Sequence, residues 1–327
     1  MMKPRSCENS WAVTDAVLAT SYILAALAIF LAWPAPLILS RAAWPARSPF
    51  VAMILWQAIA LAGGLSMIGS MLLWGLSPLS SNIYVATNEL FHLITSERTV
   101  AEFNIIHVFA VSTAGLLFAH LSFSLLLTFV RIYRQRIKHR NLVEILSAPS
   151  ATPNTVVIEH PVPVAYCLPG GSRGVTVMSD GLVAALSPQE LDAVLTHERA
   201  HLAQRHHLLL WAFSAWRTAL PWLPTSRLAQ QAVNSLIEML ADDSALATTD
   251  RGTLVRAIAV VATGQRSPGT GSAPGITDNP GSTTTGRRLS RLLSPQAPLT
   301  GWQRGAVMAI SLALLGVPTL LVLAPYS

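Results

Sequence analysis

His197-Glu198-Arg199-Ala200-His201 sets two imidazoles four residues apart, with a carboxylate directly after the first. Positions i and i+4 share one face of a helix, so both rings can reach a single Zn²⁺. The Glu is then placed to act as a base toward water at the metal. A rigid ligand pair needs a well-anchored helix. Ser187-Pro188-Gln189-Glu190 supplies its start: a capping hydroxyl, Pro at the first helical position and Glu three residues after the cap. Leu191, Val194, Leu195 and Leu202 give that helix an apolar stripe. A polar helix face with scattered histidines is the competing reading, and it leaves this context unused.

Catalytic zinc takes three protein ligands and keeps one position open for water. The third is expected on a second helix, over about 226–248, where Glu238 and Asp242 stand four apart on one face. Leu236, Ile237, Leu240 and Leu246 indicate that this helix is largely buried, and a buried carboxylate without a partner is costly. Glu238 is therefore the expected ligand. Asp242 is expected to orient a ligand His from behind, and Asp243, on another face, to be solvated.

The elements that hold these residues come from a membrane chain. Of 327 residues 52% are hydrophobic and 12% charged, about half the charge of an ordinary soluble domain. Four stretches are long and apolar enough to span: Ala16 to Trp33, Phe50 to Trp74, Ile105 to Val130 and Gly305 to Ala324. The first is longer than a signal-peptide core and lacks a good cleavage site, so it is read as retained. Gly63-Gly64 in the second favours close helix packing. His107 and His120 in the third do not share a face and are read as packing residues.

Short-loop charges set the expected orientation. Arg131, Arg134, Arg136, Lys138 and Arg140 follow the third span. Arg41 and Arg47 follow the first, whereas Glu89, Glu97 and Glu102 oppose a lone Arg98 after the second. The N-terminus is thus expected outside and residues 131–303 in the cytoplasm, with Lys3 and Arg5 dissenting. Much of the net charge of +6 lies beside spans, and no nucleic-acid recognition motif accompanies it, so direct nucleic-acid binding is not expected. Cys7 and Cys167 fall on opposite sides of the membrane in this topology and cannot pair.

Between the third span and the zinc helix, Thr155 to Glu159, Val162 to Cys167 and Gly174 to Ser179 read as strands, with a turn at Pro169-Gly170-Gly171. An exposed edge on the strand before the zinc helix can hold an extended peptide by backbone pairing; a plain structural hairpin is the alternative. Residues 208–223 are apolar but short for a span, and are expected to lie in the inner leaflet beside the site or to form a core helix. His206 and His207 precede them as interfacial residues. Residues 264–286 read as a flexible linker. The expected domains are a membrane part (1–130), a metalloprotease part (131–303) and a fourth span with a short tail (304–327).

With Leu186 through His201, Glu238-Met239-Leu240-Ala241-Asp242 and a zinc helix between a third and a fourth span, the chain resembles the BlaR/MecR-type membrane metallopeptidases. Ala43-Trp44-Pro45-Ala46 is similar to a segment of their shorter actinobacterial branch. The zinc helix is also similar to that of HtpX-type membrane peptidases. The resemblance implies an α-helical membrane protein with four transmembrane helices and a cytoplasmic, mainly-α, gluzincin-like zinc metalloprotease domain carrying a small β-sheet. His197, His201 and Glu238 would bind Zn²⁺ and Glu198 would be the base. The implied protein substrate is a winged-helix, BlaI/MecI-like repressor, cut in response to a signal. The β-lactam sensors carry a penicillin-binding domain with a Ser-x-x-Lys site. This sequence ends at Ser327 and its only lysines, Lys3 and Lys138, have no Ser three residues before them, so penicillin sensing is not expected. Two rivals stand beside this reading: an HtpX-like quality-control protease of the plasma membrane, and a non-catalytic transducer with structural zinc.

Overall fold

The structure is a computed structural model that describes residues 6–96, 103–146, 148–149, 155–168, 175–204, 206–264 and 280–324. The Pro169-Gly170-Gly171 turn and most of the expected linker lie outside these residues.

Four helices are long and apolar enough to cross a membrane, in the four expected places. Helix α1 (Ser6–Ala32) breaks at Trp33-Pro34 and continues as α2 (Pro34–Arg41). Helix α3 (Pro49–Leu76) is the central span, packed by α1, by α5 (Ile105–Leu146) and by α12 (Gly301–Leu323). Close approach at α3 uses small residues, as expected between helices in lipid. A Cβ on Gly64 would stand 3.2 Å from the Trp216 ring of a neighbouring helix, already a tight contact. Helix α5 faces outward along most of its span, with Phe109, Leu116, Phe118 and Phe123 exposed as lipid-facing residues would be. His107 stacks on Trp74 with ring centroids 4.9 Å apart, a packing role as expected. The segment between the second and third spans is not all loop. It carries α4 (Ile83–Ser96), which leaves Tyr84, Phe91 and Ile94 exposed.

A four-stranded sheet follows α5: β1 (Ala148–Pro149), β2 (Thr155–Ile158), β3 (Ala165–Leu168) and β4 (Val175–Ser179), in spatial order β1-β2-β4-β3. β4 runs parallel to β2 and antiparallel to β3, so the strand just before the zinc helix is paired on both sides. The expected free edge is therefore not on that strand. Among the described residues the outer strands are β1 and β3, and β3 packs against the zinc helix. Ser179 then caps α6 (Asp180–Ala185) by accepting from the Leu182 amide. Gly181 is required there, because a Cβ would overlap the Pro161 carbonyl.

The remaining helices are α7 (Pro188–Ala203), α8 (His206–Ala219), α9 (Pro224–Ala245), α10 (Arg251–Gly264) and α11 (Pro280–Leu293). Helix α11 takes up residues 280–286 of the expected linker. Helices α8 and α9 form a hairpin against the spans. His120 Nε2 of α5 lies 3.0 Å from the Ala219 carbonyl at the end of α8, and Thr225 Oγ1 at the start of α9 donates to the Leu31 carbonyl at 3.1 Å. Residues 208–223 thus pack beside the membrane helices, with Phe213 in the core that they share. The largest apolar cluster joins Leu31, Trp56 and Ile59 of the spans to Phe213, Leu236 and Ile237 of the hairpin. The core thus crosses the division drawn at residue 130.

Candidate metal centre

Helix α7 begins with a complete capping box. The Ser187 hydroxyl accepts from the Glu190 amide, and the Glu190 carboxylate accepts from the Ser187 amide at 3.0 Å. Such caps stabilise a helix by about 1 kcal/mol. These hydrogen bonds, with a further one from Arg256 of α10, hold the Glu190 carboxyl below its usual range. Val194, Leu195 and Ala193 are buried in two apolar clusters, which fixes the rotation of α7 and turns His197 and His201 toward α9.

There the two histidines meet Glu238. His197 Nε2 and His201 Nε2 are 3.2 Å apart, and they lie 3.4 and 3.5 Å from the two carboxylate oxygens of Glu238. Donors bound tetrahedrally at about 2.0–2.1 Å stand roughly 3.3 Å from each other. The separation of the two imidazole nitrogens is near that value, each stands close to one Glu238 oxygen, and one donor atom from each residue lies within 4.8 Å of the others, a set that could hold a zinc ion. Among the described residues this is a group of His and carboxylate side chains that could hold a metal.

Asp242 lies one turn beyond Glu238 and is 1% exposed. Its Oδ1 is 3.0 Å from His197 Nδ1, on the side of the ring away from the donor cluster. The approach is off the axis of the ring N–H, so the contact is electrostatic more than a well-aligned hydrogen bond. Burial alone would lower the pKa of His197, but Asp242 and Glu238 outweigh it and raise the value to about 9 in the metal-free protein. Burial works against ionisation of Glu238 and Asp242 too. Their contacts with His197 and Arg288 prevail and hold both carboxyls below the usual range.

Arg288 is the residue that sequence reasoning missed. In the sequence it stands with Arg287 and Arg291 ahead of the fourth span, where a charge beside the membrane is the ordinary reading. Instead it enters the site from α11, with Nε and Nη2 on the two oxygens of Asp242 (2.9 and 2.6 Å) and Nη1 on Glu238 (2.9 Å). Arg291, one turn on, makes a second fork to Asp243 at 2.7 and 2.9 Å. Asp243 is thus ion-paired and not merely solvated. A signal was present: Arg288 and Arg291 share one face of a short helix, matching the adjacent acids Asp242 and Asp243. Glu198, half-buried beside His197, lies near enough to Arg288 to reinforce its positive charge. The side chains of His206 and His207 lie outside what the structure describes.

A buried and a half-buried histidine with a carboxylate, close enough together to hold a metal, with a Glu next to the first and an Asp behind it, form a metallopeptidase-type centre. Residues 133–263 match the model of Peptidase family M48, which supports a zinc metallopeptidase. The match takes in every site residue named above except Arg288 and Arg291. No curated protein and no solved structure matched the chain.

Proposed function

We propose that this chain is an integral-membrane zinc endopeptidase whose active site faces the cytoplasm. The observation that carries the reading is the convergence of His197, His201 and Glu238, with donor atoms within 4.8 Å of one another, inside the segment that matches Peptidase family M48. Zinc bound there supplies a Lewis acid beside a substrate carbonyl. The chain's own residues do the rest. Glu198 takes the proton of the attacking water and delivers it to the leaving amine. Asp242 holds the His197 ring in place, and Arg288 holds Asp242. The open edge of β3, packed on α7, can align an extended peptide by backbone pairing.

The preferred substrate is a cytoplasmic winged-helix repressor of the BlaI/MecI kind, cleaved when the membrane part is stimulated. Supporting it is α5, one continuous helix of 42 residues, roughly 63 Å long, whose first part is a candidate span and whose last part leads into the peptidase segment. A change in its tilt would be felt at both ends. The quality-control reading has its own support, since the α8–α9 hairpin beside the spans keeps the centre close to membrane-bound substrates.

Quantitative proteomics of wild type against Glu198→Ala, with and without envelope stress, separates the two. Stabilisation of one repressor in the mutant supports gated cleavage. Accumulation of many membrane-protein fragments, with every repressor unchanged, supports quality control. Orientation is tested by single-cysteine labelling in a background lacking Cys7 and Cys167. Positions near Glu97 should react with an impermeant thiol reagent and those near Gly271 only after permeabilisation. The opposite pattern would put the centre outside and remove the repressor.

A further inference from the structure

A cavity lies against α9 and α11, lined by residues next to those of the metal centre but by none of its donors. It encloses about 590 Å³, within the range of small-molecule sites. Four arginines line it, Arg47, Arg251, Arg287 and Arg291, against one acid, Asp243. Asp243 is already neutralised by Arg291. Arg47 donates to the Ala297 carbonyl and Arg251 to the Leu292 carbonyl, each through a single hydrogen bond. Among the described residues none of Arg47, Arg251 and Arg287 has a carboxylate partner. A guanidinium carries five donors, so most of this donor capacity is uncommitted. Such a concentration of positive charge in a concave site matches an anion, and the planar fork of Arg suits phosphate oxygens.

The position says which phosphate. Residues 42–47 connect the end of the first span to the start of the second, and residues 294–296 lie just ahead of the fourth. The cavity is therefore lined in part by segments that flank three of the candidate spans, where lipid headgroups would lie. Met239, Leu246 and Leu292 add apolar lining beside the charges. Basic pockets between membrane helices are a recurrent form of headgroup recognition. We propose that this cavity binds the phosphodiester headgroup of an anionic phospholipid.

The test is native mass spectrometry of the full chain released from detergent containing phosphatidylglycerol or phosphatidylcholine with the same acyl chains. Phosphatidylglycerol adducts should survive preferentially. The triple change Arg47→Gln, Arg251→Gln, Arg287→Gln should weaken their retention about 100-fold, given the contribution of each basic residue near a headgroup. Should that variant not fold, Ser290→Trp fills the cavity without removing a charge and should abolish the same adducts. Equal retention of both lipids, or unchanged phosphatidylglycerol retention in the folded variants, overturns the proposal. Inorganic phosphate is the third arm: if it binds without lipid and displaces phosphatidylglycerol at millimolar concentration, the ligand is a soluble phosphate and the lipid assignment falls.

Discussion

Arg288 grips both oxygens of Asp242 while Asp242 lies 3.0 Å from the far nitrogen of His197. A helix that follows the matched peptidase segment thereby sets the electrostatics of the first histidine of the candidate metal centre. The pair is buried, with Asp242 1% and the Arg288 side chain 13% exposed. Replacing Arg288 by Gln leaves the buried Asp242 with His197 as its charged partner and the half-buried Glu238 with His197 and His201, and breaking a buried pair such as Arg288–Asp242 costs about 3–5 kcal/mol. Zinc would replace part of the missing positive charge. The variant should therefore gain more thermal stability from zinc than wild type does, and Arg288→Lys should recover the charge without the two-pronged grip. Equal zinc-induced shifts in Tm for wild type and Arg288→Gln would show that the arginine is remote from the metal's field.

Glu198→Ala should retain zinc and membrane insertion while proteolysis falls by about 10²–10⁴, the usual contribution of a positioned acid-base group. Metal content and cleavage are to be measured on one preparation. Cleavage near the wild-type rate would remove Glu198 from the role of base.

Glu238→Ala should empty the centre, because it deletes one of three donors. Asp242→Asn should keep the metal but weaken affinity about 10–100-fold, as changes behind a ligand do. Zinc occupancy by atomic absorption, set beside activity, distinguishes them. A metal-free Asp242→Asn protein alongside a loaded Glu238→Ala protein would reverse the two roles.

Zinc binding should depend on pH with a definite sign. His197 has a raised pKa of about 9 in the metal-free protein, so below that pH its ring carries a proton that zinc must expel. Affinity should rise with pH and level off above about 9, with proton release visible as a buffer-dependent heat. The linked effect on the metal-free fold runs the other way. The raised pKa stabilises that fold fully below the unfolded value of about 6.5, and the contribution is lost as pH rises through 9. An affinity unchanged across this window would mean that His197 is already neutral in the free protein.

The capping box offers a test at acid pH. The Glu190 carboxyl is held below its usual value by the Ser187 amide and hydroxyl and then by Arg256, so its stabilising effect is present above about 4.5 and fades as pH falls below that. Glu190→Gln should make acid unfolding less steep in that range while barely changing the fold near neutrality. An unaltered acid-unfolding profile would mean that the box does not hold α7.

Local chemistry explains what could be read ahead of the structure. The Ser187 cap, the i,i+4 histidines and the four spans are written in contiguous residues, and each lies where its pattern put it. Glu238 was reachable because burial of a charged helix face demands a partner. Arg288 was not. It lies 50 residues from Glu238, beyond a Gly- and Ser-rich stretch, and only three-dimensional packing of α11 on α9 and α10 brings it in. The sheet order was equally out of reach, because β4 inserts between β2 and β3 through a parallel pairing that no short-range pattern announces.

The apolar cluster that ties Trp56 and Leu31 to Phe213, Leu236 and Ile237 has a consequence for anyone who would isolate the peptidase. A fragment cut at residue 131 would carry the metal-binding residues and yet lose the surface on which α8 and α9 are folded. Phe213, Ile237 and their neighbours would be left facing water, and such a patch drives self-association. Excision would therefore yield insoluble material where a soluble enzyme was wanted, whereas the full chain in a bilayer mimic would keep its centre intact. The part of the sequence that looks like a detachable enzyme depends on its membrane helices as the rest of its own core.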